Sequence, residues 1–277
     1  MGGRTAGDRY GPLSGADLVA FIPDSTRPLR LGAAVEDGWR AFSRSPWPFV
    51  LFTLLSGGLS LLFQALTNLD ALPEASQPAT PLLVSAVIVG TVGQVIVNLW
   101  GTVGLIRGAW TALNGDRPGW NTFSRWDGRA SGRLLLRQLT LGVLVLVVLL
   151  AAGILMFGLA QLQPWLAALP AVAALVVLIY LLVGQSFLPW VALLEGPGPL
   201  ATLQRGREGV DPQWWWVLLL ALLQGAILLV GALLCGVGLL AAAPLAVCIS
   251  TAAYRQLFGS EDRTGLLSES PNSLFNG

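Results

Sequence analysis

Four stretches of this chain contain no Asp, Glu, Arg or Lys: 45–69, 75–106, 138–194 and 212–254. Between them they hold most of the sequence, and they are strongly apolar. A bilayer hydrocarbon core of roughly 30 Å needs about 20 apolar residues in helical form. Each stretch is long enough for one such span, and the last two for two each. The pattern predicts an all-α, polytopic membrane protein with six transmembrane helices, at about 47–69, 81–106, 135–160, 168–193, 214–235 and 238–258. Composition closes off the main alternative, one large soluble domain. Only 11% of the residues are charged, against roughly 25% in soluble domains, and the mean hydropathy is +0.68.

Segments flanking the spans define the domain plan. Residues 1–27 read as a flexible cytoplasmic tail, 28–259 as the membrane domain, and 260–277 as a second flexible cytoplasmic tail. The N-terminal stretch lacks the apolar core of a signal peptide. From 31 to 44, Leu31, Ala34, Val35, Gly38, Trp39 and Phe42 recur at helical spacing, while Glu36, Asp37, Arg40 and Arg44 take the other side. This is the pattern of an amphipathic helix lying at the membrane surface. Weaker segments near 119–131 and 199–209 occupy the corresponding places before the third and fifth spans. The chain therefore reads as three helical hairpins, each introduced by a short interfacial segment on the cytoplasmic side.

Orientation follows from arginine. All sixteen basic residues are Arg, and His is absent. With both termini inside, the outer loops 70–80, 161–167 and 235–238 contain no Arg, as the positive-inside rule requires. Arg107, Arg137 and Arg255 then mark inner helix ends. Trp39, Trp47, Trp110, Trp120, Trp126, Trp190 and Trp214–Trp216 fall near the same inner surface, where amphipathic rings settle at headgroup depth. The expected location is a bacterial inner membrane, multi-pass, N-in and C-in; an internal photosynthetic membrane fits the same pattern.

Chemistry is sparse. No ionisable residue sits near the middle of a span, which argues against a proton-coupled pump or a carboxylate-lined ion path. The mid-span polar groups are amides and hydroxyls. Gln94, Asn98 and Gln185 are the candidates for lining a cavity that takes a neutral or zwitterionic ligand. Their plainer role is interhelical hydrogen bonding, worth about 0.6 kcal/mol on average. Gly90, Gly93, Gly101, Gly104 and Gly108 make the second span glycine-rich, which favours close helix packing. Cys235 and Cys248 lie in apolar surroundings and read as buried small hydrophobes rather than a disulfide or metal pair. There is no His to act as base for a Ser or Cys nucleophile. No catalytic, metal-binding or cofactor-binding residue is expected, and no cofactor. Arg40, Arg44, Arg125, Arg129 and Arg133 are the candidates for contacting lipid headgroups or a partner. Scattered among membrane-flanking segments, the arginines form no nucleic-acid footprint. The expected partners are membrane lipids and other membrane proteins.

Two motifs carry a resemblance. One is LGAAVEDGWRAFSRSPWPFVLFTLL, an amphipathic helix before a proline-initiated span. The other is LLCGVGLLAAAPLAVCISTAAYRQLFG, a glycine hinge, a mid-span proline and a terminal Ala-Tyr-Arg. Both resemble poorly characterised bacterial membrane proteins similar to the membrane domain attached to some glycerophosphoryl diester phosphodiesterases. The resemblance implies a six-helix bundle and no activity, because the phosphodiesterase chemistry belongs to a separate soluble module. The function read from the sequence is a non-enzymatic scaffold, assembly or regulatory protein that contacts lipid headgroups. The alternatives are a carrier of a lipid or small neutral solute, and a lipid-acting enzyme using Glu36, Asp37, Glu195 and Asp211 at the cytoplasmic rim.

Overall fold

The computed structural model describes residues 29–69, 80–234 and 236–267, with only the backbone of Thr80. Residues 1–28 and 268–277, which hold most of the two expected tails, residues 70–79, which hold most of the first expected outer loop, and Cys235 lie outside the described residues. Within them the chain is helical, with no strand. Nine helices carry the fold: α1 (Leu31–Arg44), α2 (Pro46–Thr67), α3 (Thr80–Leu113), α4 (Trp120–Ser124), α5 (Gly128–Leu162), α6 (Ala168–Gly184), α7 (Pro199–Val210), α8 (Trp214–Leu233) and α9 (Leu239–Phe258).

Five helical stretches are long and apolar enough to cross a membrane: Pro46–Thr67, Pro81–Leu113, Gly128–Leu162, Pro164–Gly184 and Pro199–Leu233. This marks the chain as a membrane protein. Most of the apolar surface faces outward. Leu61, Leu82, Leu150, Ile154, Phe157, Leu162 and Leu233 are all exposed, as lipid-facing side chains are, since lipid tails offer no penalty for them to escape.

Several helix ends have local causes. Ser45 precedes Pro46, and proline disfavours the α conformation in the residue before it. Ser45 accordingly sits at φ −151°, ψ 61° and separates α1 from α2. Asp127 caps α5, its Oδ1 accepting from the Ala130 amide at 3.0 Å. Glycines set the spacing between helices. A Cβ on Gly93 would lie 2.3 Å from the Phe63 ring, and one on Gly90 would meet the Phe63 carbonyl at 2.8 Å. With Gly101 against Ser56 and Gly104 against Phe52, α2 and α3 run antiparallel in close contact. The glycine-rich span is thus a packing surface.

Two expectations need correction. The span placed at 168–193 is not one helix: α6 stops at Gly184, and a turn leads to a short helical piece, Leu188–Trp190, and a π-helical turn, Val191–Glu195. Pro189 is the reason. It has no N–H for the carbonyl four residues earlier, and its ring clashes there. That carbonyl, of Gln185, accepts instead from the Leu188 amide at 3.0 Å. The second interfacial segment, 119–131, also divides. Only Trp120–Ser124 forms a separate short helix, and residues from Gly128 on belong to α5.

The apolar face of α1 is spent largely on protein. α1 runs antiparallel to the second half of α9: the Arg30 amide donates to Gln256 Oε1 (3.0 Å), and Gly38 lies against Ile249. Trp39 on the flank remains exposed. The segment 260–267, expected as tail, folds back onto the π-helical turn. There the Arg263 amide donates to Leu194 O (2.8 Å), and Leu266 is buried. An Asp262 carboxylate receiving the amides of Thr264 and Leu267 shapes that return.

The buried core gathers at one end of the molecule. Trp110, Phe187, Trp190, Tyr254, Leu193, Leu194 and Leu266 form one cluster; Phe42, Phe49, Phe52, Phe123 and Cys248 form another. Every arginine among the described residues belongs to the segments of this same end. The opposite connections, 163–167 and 234–238, have no charged side chain among their described residues.

Candidate functional site

A cavity of about 390 Å³ opens at the arginine-rich end, where α3 stops and the α4 segment crosses it. Arg107, Trp110, Asn114, Asn121, Thr122 and Arg125 line it, with Asp116 and the returning Leu266 and Leu267. Arg107 is the central group. It is 4% exposed. Its Nη1 donates to the carbonyls of Arg125 (3.0 Å) and Thr122 (3.4 Å), fastening the segment between α4 and α5 over the end of α3. Its Nη2 lies 4.0 Å from Asp127 Oδ2, outside hydrogen-bond range. Nε and Nη2 have no hydrogen-bond acceptor.

The approach of α4 to α3 depends on glycine. A Cβ on Gly104 would fall 2.5 Å from the Phe123 carbonyl, and one on Gly108 would fall 2.1 Å from the Phe123 ring. Phe123 is fully buried there, edge-on to Phe49 at 4.9 Å. On the other wall, Arg255 lies over the Trp110 ring at 5.0 Å and donates to Asn114 Oδ1 at 3.0 Å. Arg44 donates to the carbonyl of Ala112.

A second buried arginine is fully engaged. Arg137 donates through Nε to Thr202 Oγ1 (3.1 Å), through Nη1 to the Arg133 carbonyl (3.0 Å), and through Nη2 to the Pro197 carbonyl. It ties the connector before α7 to α5. Nearby, Glu195 accepts from Arg205 Nε (3.0 Å) and from the Tyr254 hydroxyl (3.4 Å). Arg107 and Arg137 thus do more than mark helix ends. Each lies inside its helix and binds at least one backbone carbonyl of a crossing segment.

The expected cavity-lining amides do not share a site. Gln94 and Asn98 lie one turn apart on α3. Gln94 is half-buried, and Asn98 is exposed with Ser60 Oγ at 3.5 Å. Gln185 is buried at the end of α6, where Nε2 donates to the Leu203 carbonyl at 2.9 Å and Oε1 faces Gly206. None of the three lines the polar cavity or the apolar groove between α3 and α5, which Val92, Ile96, Leu99, Trp126 and Leu135 border.

The five expected arginine contacts divide. Arg40 pairs with Glu36 and Asp37 of its own helix, and Arg44 is held by Ala112. Arg133 is half-buried and reaches the Leu193 carbonyl at 3.5 Å. Arg125 and Arg129 are exposed, and Arg125 borders the cavity. Trp110 and Trp190, expected at the headgroups, are instead core. Trp190 Nε1 donates to the buried Thr251 hydroxyl at 2.9 Å. The sequence singled out Arg107 only as a helix-end marker. The missed signal was its place beside Gly104 and Gly108, where a second backbone segment crosses the helix.

No family model, curated protein or solved structure matches this chain. The functional reading rests on this site alone. Its donors are guanidinium and amide groups; among the described residues, no group of three or more His, Cys, Asp or Glu is placed to hold a metal ion.

Proposed function

We propose that this chain is a multi-pass bacterial inner-membrane protein of scaffold, assembly or regulatory type, without catalytic activity. In this reading α9 is a sixth span, and α2–α3, α5–α6 and α8–α9 are three hairpins. The arginine-rich end faces the cytoplasm and meets lipid headgroups and partner proteins. A six-helix bundle is also what the resemblance to the phosphodiesterase-attached membrane domain implies.

The observation that carries the proposal is the asymmetry of charge. Arginine, six of the seven exposed tryptophans and the buried core collect at one end, while the helices beyond it expose uncharged apolar side chains and Trp165 lies at the far end. α9 supports the sixth span: it is 20 residues long and antiparallel to α8, with Gln224 Nε2 donating to Ser250 Oγ at 2.9 Å and Gly231 against Ala242. Its polar end, Tyr254–Arg255–Gln256, is what lowers its apolar character relative to the other five. The carrier alternative requires Gln94, Asn98 and Gln185 around one cavity, and Gln185 Nε2 is committed to the Leu203 carbonyl instead.

Labelling with a membrane-impermeant maleimide tests the topology. In a background lacking Cys235 and Cys248, Gln163→Cys reacts in intact cells, and Ser43→Cys reacts only after lysis. The opposite result overturns the orientation. For the scaffold role, crosslinking in native membranes recovers a partner whose yield collapses when Arg125 and Arg129 are both changed to Glu. Recovery that ignores the double change, or no recovery of partner or lipid, overturns it.

A further inference from the structure

We infer that the cavity between the end of α3 and the α4 segment is a phosphate-binding site, taking a phosphate monoester or diester through Arg107 and Arg125. The chemistry is that of a guanidinium pair. Arg107 borders the cavity, is already oriented by two carbonyls, and keeps two enclosed nitrogens without an acceptor, which a phosphate oxygen reaches when the guanidinium turns toward the cavity. A buried guanidinium with spare donors is costly unless an acceptor fills them. The planar guanidinium fork matches phosphate oxygens in a bidentate way. Arg125 adds a second guanidinium at the rim, and Asn121 and Thr122 add neutral polar groups.

The charges around the cavity favour an anion. Arg107, Arg125 and Arg255 stand against Asp116 and against Asp127, whose carboxylate lies 4.0 Å from Arg107. The end of a helix ordinarily repels anions through its free carbonyls. Here the carbonyls of Trp110, Thr111 and Ala112 are taken by the amides of Asn114, Asp116 and Gly115, and Ala112 also by Arg44. A cavity of about 390 Å³ is within the size range of small-ligand pockets. The phosphate can belong to a lipid headgroup or to a soluble ester, and the shared chemistry is the same.

The cavity lies on the face that the proposed function uses. Partner capture and labelling can succeed without phosphate binding, so failure of one does not carry the other. The test uses the full chain in maltoside detergent micelles, which carry no phosphate. Inorganic phosphate and glycerol 3-phosphate are titrated against thermal unfolding, and the same protein is compared in the same micelles doped with phosphatidylglycerol. Saturable stabilisation by the soluble probes assigns a free phosphate ester; stabilisation only by phosphatidylglycerol assigns a headgroup. Either result supports the site if Arg125→Gln weakens it about ten-fold, the scale of one charge-assisted hydrogen bond. Arg207→Gln, which removes an equal exposed charge on α7 outside the cavity, leaves binding within about two-fold, as expected for a screened exposed charge. Arg107→Gln abolishes binding if it folds; Arg125→Gln keeps the test intact if it does not. Absence of stabilisation by every probe, or equal loss in the Arg125 and Arg207 variants, overturns the site.

Discussion

Arg107 and Gly38 show how much rests on single positions at the arginine-rich end. Arg107 holds the carbonyls of Thr122 and Arg125 from inside α3. Hydrogen bonds from a charged group contribute roughly 1.5–3 kcal/mol, so Arg107→Met lowers unfolding stability in detergent by about that amount. Hydrogen exchange should rise first in residues 120–127. Gly38 is a different case. A Cβ there would lie 2.6 Å from the Ile249 side chain and 2.7 Å from its backbone. Because backbone atoms cannot step aside as a side-chain tip can, Gly38→Ala costs about 1–3 kcal/mol. Gly57→Ala, where a Cβ would meet nothing within 4 Å, leaves the melting temperature unchanged or raises it. Equal melting curves for the two variants would show that α1 does not sit on α9.

At the scale of the element, the sequence was informative where one face met one environment. The span boundaries at Pro46, Thr80 and Trp214 follow from charge-free runs and proline placement, and α1 follows from its 3.6-residue period. The break after Gly184 was hidden, because 168–194 carries no charge, its two polar residues Gln185 and Ser186 read as mid-span groups, and hydropathy cannot register a missing amide hydrogen. Pro189 carried that information, four residues beyond the carbonyl it leaves unmatched. Burial of Trp110 and Trp190 was hidden for a related reason: ring type fixes depth, and only the neighbouring helices decide between lipid and protein. The cavity was not legible either, since its walls come from α3, the α4 segment and residues 266–267, brought together by tertiary packing.

Two elements make further predictions. Arg137 joins α5 to the connector before α7 through Thr202 and Pro197, so Arg137→Ala loses about 1.5–3 kcal/mol, measurable by denaturant titration in micelles. Gly196 closes the π-helical turn at φ +67°, where an added Cβ would meet Thr264 at 2.8 Å. Placing a side chain in this left-handed conformation costs roughly 1–2 kcal/mol. Gly196→Ala should free the returning segment, and faster hydrogen exchange at the Arg263 amide would report it.

For the whole molecule, the exposed apolar belt predicts behaviour in bulk. Alkaline carbonate washing leaves the protein in the membrane pellet, and detergent releases it. Release by carbonate alone would mean a peripheral association and would remove the basis for every span. Helix length adds a consequence of another kind. At 1.5 Å per residue, residues 138–162 of α5 already extend about 37 Å, against roughly 30 Å of hydrocarbon. Residues 128–137, with Arg129, Arg133 and Arg137, are therefore surplus to the crossing. They form an overhang continuous with the span, a rigid ledge rather than a loop. α3 has the same excess, and the cavity sits on it. A molecule diffusing in the aqueous layer beside the membrane can reach that ledge without entering the acyl region.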